Sequence, residues 1–181
     1  RRMIPNLSVF RPADAIETAE CWALALKQAD KPSVLALSRQ NLPTLRDDAS
    51  MKSARGAYRL CAATAARKVV LLATGSEVEL ACTVRDALEA EGIGADVISM
   101  PSWELFAAQD EAYRADLLPA DALKVSIEAG VTLGWQRWTG ADGLNFGIDS
   151  FGASAPAEAL FKHFGLTAES IVPKIKAKLT I

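Results

Sequence analysis

Lys68-Val69-Val70-Leu71-Leu72-Ala73-Thr74-Gly75 is an aliphatic and β-branched run closed by glycine. A strand with one wet face alternates apolar and polar residues, whereas a continuous apolar run suits a parallel strand covered on both sides. Beyond it, Ser76 is placed to cap a helix whose Val78, Ala81, Val84 and Leu88 form one stripe, with Gly92 as its stop. Gly94 to Met100 then supplies a second strand, ended by Pro101. Strand, helix and strand in this order predict a parallel pair joined by a right-handed crossover.

Toward the C-terminus, Trp103 to Phe106 and Glu111 to Leu118 read as short helices, and Leu123 to Glu128 as a third strand. Gly130 to Phe151, rich in glycine and tryptophan, is expected to hold one short helix and a fourth strand near Asn145 to Asp149. Ala157 to Phe164 and Ala168 to Lys178 finish as helices. The predicted fold class is α/β: a mostly parallel, doubly wound domain of about four or five strands with helices on both faces.

Toward the N-terminus, Pro12 suits the first turn of a helix running to about Ala29, with Ile16, Ala19, Ala23 and Leu26 at helical spacing. A strand interior follows from Val34 to Leu37, ending near Ser38. One helix and one strand cannot bury both of their faces, so residues 1–43 read as a helix–strand remnant of another α/β domain. The opening Arg1-Arg2-Met3-Ile4-Pro5 carries no targeting logic. Residues 44–57 turn polar and charged, with Arg46, Asp47, Asp48, Lys52 and Arg55, and read as an interdomain linker, with a mobile lid as the alternative. The second domain is then 58–181.

The chain has 181 residues, half of them apolar, and 20 basic against 22 acidic side chains. Nucleic-acid binding needs a concentrated basic face, which this balance does not favour. No apolar run approaches the roughly 20 residues of a membrane span. A soluble, cytoplasmic protein is the expectation. Cys21, Cys61 and Cys82 are widely spaced and lack a C-x-x-C pairing, which argues against a disulfide framework or zinc site. Cys21 and Cys82 fall within helical patterns as small apolar groups. His163 is the only histidine, which excludes a multi-histidine metal centre, and nothing in its spacing brings it to Ser154.

Arg39 is the leading site residue. It follows the front strand, where open α/β sheets collect ligands, and Ser38, Gln40 and Asn41 surround it with further donors. Its guanidinium offers a two-pronged grip on a phosphate. The alternative is a surface ion pair to Asp47 or Asp48, and from composition the two readings stand open. Thr74-Gly75-Ser76-Glu77 joins strand to helix and has the form of an anion site, but without G-x-G-x-x-G or G-x-x-x-x-G-K-[ST] plain capping is favoured. Glu128, at a strand end, is a candidate base, yet its neighbours offer no second titratable partner, so edge or subunit hydrogen bonding is the better reading. Trp135, Trp138, Phe146 and Phe151 could line a pocket and more often fill a core or an interface.

Several of these pieces together resemble the C-terminal third of the transketolase family. They are Phe10-Arg11-Pro12-Ala13-Asp14 with Glu17-Thr18, Leu37-Ser38-Arg39-Gln40-Asn41-Leu42, Ala73-Thr74-Gly75-Ser76-Glu77-Val78-Glu79-Leu80-Ala81, Val97-Ile98-Ser99-Met100-Pro101-Ser102, Glu128-Ala129-Gly130 and Phe151-Gly152-Ala153-Ser154-Ala155-Pro156-Ala157. The resemblance runs in order along almost the whole chain. It implies transfer of a two-carbon ketol unit between sugar phosphates of the pentose phosphate pathway, by a homodimer using thiamine diphosphate and Mg2+ or Ca2+. It implies that Arg39 binds the sugar phosphate, that residues 1–43 end the pyrimidine-binding domain, and that 58–181 form the C-terminal domain. It carries over no catalytic, cofactor-binding or metal residue, and the family's metal ligands and active-site histidines are expected upstream of Arg1. The 181 residues are therefore expected to be an inactive fragment supplying a phosphate grip and dimer contacts. The alternatives are the corresponding part of a 2-oxo acid dehydrogenase β subunit or a deoxyxylulose phosphate synthase, or a non-catalytic assembly or ligand-binding module.

Overall fold

The run from Lys68 becomes β4 (Arg67–Ala73), the middle strand of a five-stranded sheet. The other strands are β3 (Tyr58–Cys61), β5 (Gly94–Ser99), β6 (Leu123–Ile127) and β7 (Leu144–Phe146), in the order β3-β5-β4-β6-β7. All pairings are parallel except β3 against β5. The structure, a computed structural model, describes residues 4–180; the Arg1-Arg2-Met3 opening lies outside them. Alternate residues of β4 serve two cores. Val69, Leu71 and Ala73 pack with α2 (Glu77–Ala90) and α7 (Ala168–Leu179), while Val70 and Leu72 pack with Trp103, Phe106, Trp135 and Trp138 on the other face. Both faces are dry, which is why the run shows no alternation.

The second face is covered by α3 (Trp103–Ala107), α4 (Glu111–Leu117) and α5 (Gln136–Thr139); α6 (Ala157–His163) precedes α7. The predicted elements are present with ends moved by a few residues. One local expectation differs: Ser76 stands just before α2 with helical backbone angles (φ −58°, ψ −22°) and makes no side-chain cap bond. Gly75 supplies the positive φ (62°) that turns β4 into α2.

In the front section, a strand absent from the sequence reading, β1 (Ser8–Phe10), pairs in parallel with β2 (Ser33–Leu35). The predicted β2 is longer than the observed one. Its last ladder bond runs from Ala36 N–H to the Phe10 carbonyl, after which β1 ends because Arg11 N–H turns to the Pro101 carbonyl. Between the strands, α1 (Ala15–Lys27) starts after Asp14, whose carboxylate accepts the Glu17 N–H at 2.8 Å, and not at Pro12. Its inward face also differs from the predicted stripe: Glu17, Glu20 and Cys21 are buried, while Leu26 is 78% and Trp22 49% exposed.

Residues 44–57 are fastened at several points. Arg46 and Ser53 are buried, Lys52–Arg55 form one 3-10 turn, and Leu45 N–H donates to Asp14 at 3.0 Å. Gly56 ends the turn at φ 77°, where a Cβ would lie 2.2 Å from the Phe106 nitrogen.

Candidate functional site

A groove of about 410 Å³ opens between the segment after β2 and the C-terminal sheet. Leu37, Ser38, Arg39 and Gln40 form one wall; Ser76 and Phe161 belong to the other. Arg39 is exposed and has no ion pair among the described residues. Asp48 is engaged instead by Lys52 at 2.9 Å and by Arg46, so the surface pair is not formed with it. Sequence and geometry thus leave a planar, permanently charged fork facing an open groove, a fitting receptor for a phosphate or carboxylate. Asn41 is also exposed but lies outside the groove wall.

The floor of the groove holds a residue that sequence reasoning missed. Arg11, directly after β1, donates to Glu77 Oε2 at 3.1 Å and to Glu128 Oε1 in a closer contact. Glu77 Oε2 also accepts the Ala129 N–H at 3.0 Å, and Glu128 Oε2 accepts the Trp135 indole N–H at 2.6 Å. The absence of a titratable neighbour for Glu128 is therefore corrected, since Arg11 is that neighbour, 117 residues away in sequence. The backbone joins in: Gly75 N–H donates to the Arg11 carbonyl at 3.0 Å, and Thr74 Oγ1 to the same oxygen at 3.3 Å. At the strand-to-helix turn Glu77 occupies the positive helix end, and the Gly75 amide is spent on Arg11. The turn is a joint between the two halves, and an external anion has no place in it.

A second joint lies behind α1. Glu17 is fully buried; its Oε1 accepts from Tyr58 Oη at 2.7 Å and Ser99 Oγ at 2.5 Å, and its Oε2 from Ala13 N–H at 2.7 Å. Burial pushes its carboxyl above the usual range, against the pull of those hydrogen bonds. Arg46 donates to Tyr58 Oη at 3.0 Å and pairs with Glu20 at 2.5 Å, and Glu20 accepts from Ser53 N–H at 3.1 Å. These polar groups hold helix, strap and sheet together.

The remaining sequence candidates disperse. Trp135 and Trp138 are core, with Trp103 packed edge-on against both at ring separations of 4.7 and 6.2 Å. Phe146 is half-buried, and Phe151 is fully exposed on the segment before α6. His163 sits exposed at the end of α6, edge-on to Phe164. Among the described residues no group of three His, Cys, Asp or Glu side chains is placed to hold a metal ion, and no helix is long and apolar enough to cross a membrane.

Comparison with known proteins places this geometry. Residues 1–44 match the family described as the transketolase pyrimidine-binding domain, and residues 56–167 that of the transketolase-like C-terminal domain. A transketolase of Rhodobacter capsulatus is 53% identical over 98% of the chain, and one of Geobacillus stearothermophilus 49% over 98%. The chain spans 28% and 27% of those relatives, about a quarter of their length. Among solved structures, transketolase from Leishmania mexicana superposes with a TM-score of 0.86 at 42% identity over 96% of the chain and 25% of its own. A Pichia stipitis transketolase solved with sedoheptulose 7-phosphate gives 0.91 at 36% identity over 99% and 26%.

Proposed function

The chain belongs to the transketolase family, and on that premise we propose that it is the part of a ketol-transferring enzyme that grips the phosphate of the sugar, with Arg39 as the grip. The observation that carries this reading is the exposed Arg39 guanidinium at the groove wall, beside Ser38 and Gln40 and with no ion pair among the described residues. A phosphorylated sugar is what the Pichia stipitis relative was solved with, which supports a phosphate as the anion. The whole protein transfers a two-carbon ketol unit between sugar phosphates as a homodimer. Residues 1–43 are the end of its pyrimidine-binding domain, 44–57 the linker and 58–181 its C-terminal domain.

The pyrimidine-binding match supports thiamine diphosphate as cofactor; Mg2+ or Ca2+ as its companion ion is part of the proposal. When bound, thiamine diphosphate supplies the carbanion chemistry of ketol transfer. The described residues offer no acidic cluster suited to the metal, and Glu77 and Glu128 are committed to Arg11. In this reading the work of this chain is to hold the phosphate end of the substrate and to buttress the fold, and with about a quarter of its relatives' length the 181 residues are proposed to transfer no ketol unit alone.

In the full-length protein, Arg39→Ala raises KM for phosphorylated sugars by about 10- to 100-fold, the equivalent of one charge-assisted hydrogen bond. KM for unphosphorylated acceptors stays nearly level, and Arg39→Lys recovers part of the loss because it lacks the fork. Equal losses on both substrate classes would remove the phosphate-grip role.

A further inference from the structure

The groove lies where β4 and β6 end, at Ser76 and Ala129; a second cavity, also of about 410 Å³, lies where β6 begins. Its wall is built from α4, from Lys124 near the start of β6, and from α5 with the Gly140 that follows it. Three cations stand there, Arg114, Lys124 and Arg137, against one carboxylate, Glu111. None of the three has an ion pair among the described residues.

Their anchors are neutral instead. Arg114 Nη1 donates to the Ala107 carbonyl at 2.8 Å and Lys124 Nζ to the Ala122 carbonyl at 3.1 Å, while the Arg137 guanidinium lies over the Trp138 ring, 4.8 Å from its centroid. These contacts fix where each cation sits without cancelling its charge. Other arginines of this domain are matched by acids, as where Arg59 and Arg67 share Asp96. Three uncancelled charges on one concave wall call for an anion from outside.

We propose that this cavity is a binding site for a small polyphosphate, either free inorganic diphosphate or the diphosphate group of a larger molecule, gripped by Arg114, Lys124 and Arg137. The wall carries a formal charge of +2, three cations less one acid, which a monoanion leaves partly unmet and a diphosphate satisfies. Two guanidinium forks can each take a pair of phosphate oxygens, and the ammonium adds a point contact. The cavity is of small-molecule size, within the usual range of about 300–1,000 Å³. A nucleic-acid strand needs a longer basic track than one such pocket.

A nucleobase would find no stacking surface here. Trp138 is the one aromatic residue on the wall; it is 6% exposed, and Arg137 lies on its ring. Recognition is therefore confined to the phosphates, and whatever is attached to them can leave past Gly140, where an added Cβ would meet nothing within 4 Å.

The test is calorimetry on the full-length protein, loaded with its cofactor and freed of excess, with inorganic diphosphate, ADP and GDP as probes. Diphosphate should bind once per chain, and Lys124→Gln and Arg137→Gln should each weaken it by about tenfold or more. Glu111→Gln should tighten binding a few-fold, the size of one exposed charge contact, a gain that misfolding cannot produce. Arg39→Ala, at the other end of the sheet, should leave this binding in place. Binding of diphosphate without ADP or GDP supports the free anion as the ligand, and similar affinity for all three supports the diphosphate group of a larger molecule. No saturable binding of diphosphate, affinities in both Gln variants equal to that of the unaltered protein, or binding of ADP without diphosphate overturns the proposal.

Discussion

Arg11 does at the scale of one residue what Arg39 does not: it spends its charge inside the protein. Its fork reaches two carboxylates, Glu77 and Glu128, whose side chains are 0% and 8% exposed, while its own is 19% exposed. Removing the cation takes the Arg11 charge away from both acids in a place that water barely reaches. Arg11→Leu should therefore lower the stability of the intact protein by about 3 kcal/mol, near the lower end for breaking a buried pair. Arg11→Lys should keep part of it, since an ammonium cannot serve both acids with the same geometry. Urea unfolding of the two variants decides this, and a loss under about 1 kcal/mol for Leu would count against the clasp. Arg39 could be proposed from the sequence because its signal is local: a cation just after a strand, with polar neighbours. Arg11 could not, because its partners lie 66 and 117 residues away. Only the side-by-side ending of β4 and β6, Ala73 opposite Ile127, brings Glu77 and Glu128 to one place.

At the scale of elements, hydrophobic period was a good guide wherever an element packs within the chain. β4, α2 and β5 fall where their apolar pattern puts them, since both cores meet on the same sheet. α1 is the exception: its apolar stripe faces outward and its acids face inward. The period is correct, but the surface that would cover the stripe is not among the described residues, whereas Tyr58, Ser99, Ser53 and Arg46 provide hydrogen bonds for Glu17 and Glu20. β1 was missed because three residues carry too little pattern to register. The turn at Gly56 shows how strictly an element can be placed. With φ at 77° and Phe106 N and Ser102 O within 2.4 Å of an added Cβ, Gly56→Ala should cost about 3 kcal/mol or more. A drop in the urea midpoint measures that cost, and an unchanged midpoint would mean that α3 can retreat.

For the molecule as a whole, the buried acid Glu17 links stability to pH. Its carboxyl is held above its ordinary value near 4.5, mainly by burial. In the pH interval between that value and the higher folded one, the folded state binds the proton that the unfolded state has released. This contribution to stability therefore falls as pH rises through the interval, and levels off above it. Glu17→Gln keeps an acceptor for Ala13 N–H and partners for Tyr58 and Ser99 while removing the titration. The difference between wild-type and Gln stability curves should slope downward with pH; a flat or rising difference would place the carboxyl elsewhere.

The outward stripe of α1 has one more consequence. Of the four tryptophans, Trp103, Trp135 and Trp138 are buried, and Trp22 alone is half open to water. Fluorescence from Trp22 should lie at the red end of the chain's emission and be the part most open to a quencher such as iodide. Whatever molecule or neighbouring subunit settles on that helix will shield it and shift its light to the blue, while the inner three indoles continue to report on the cores, so association and unfolding can be followed in one spectrum.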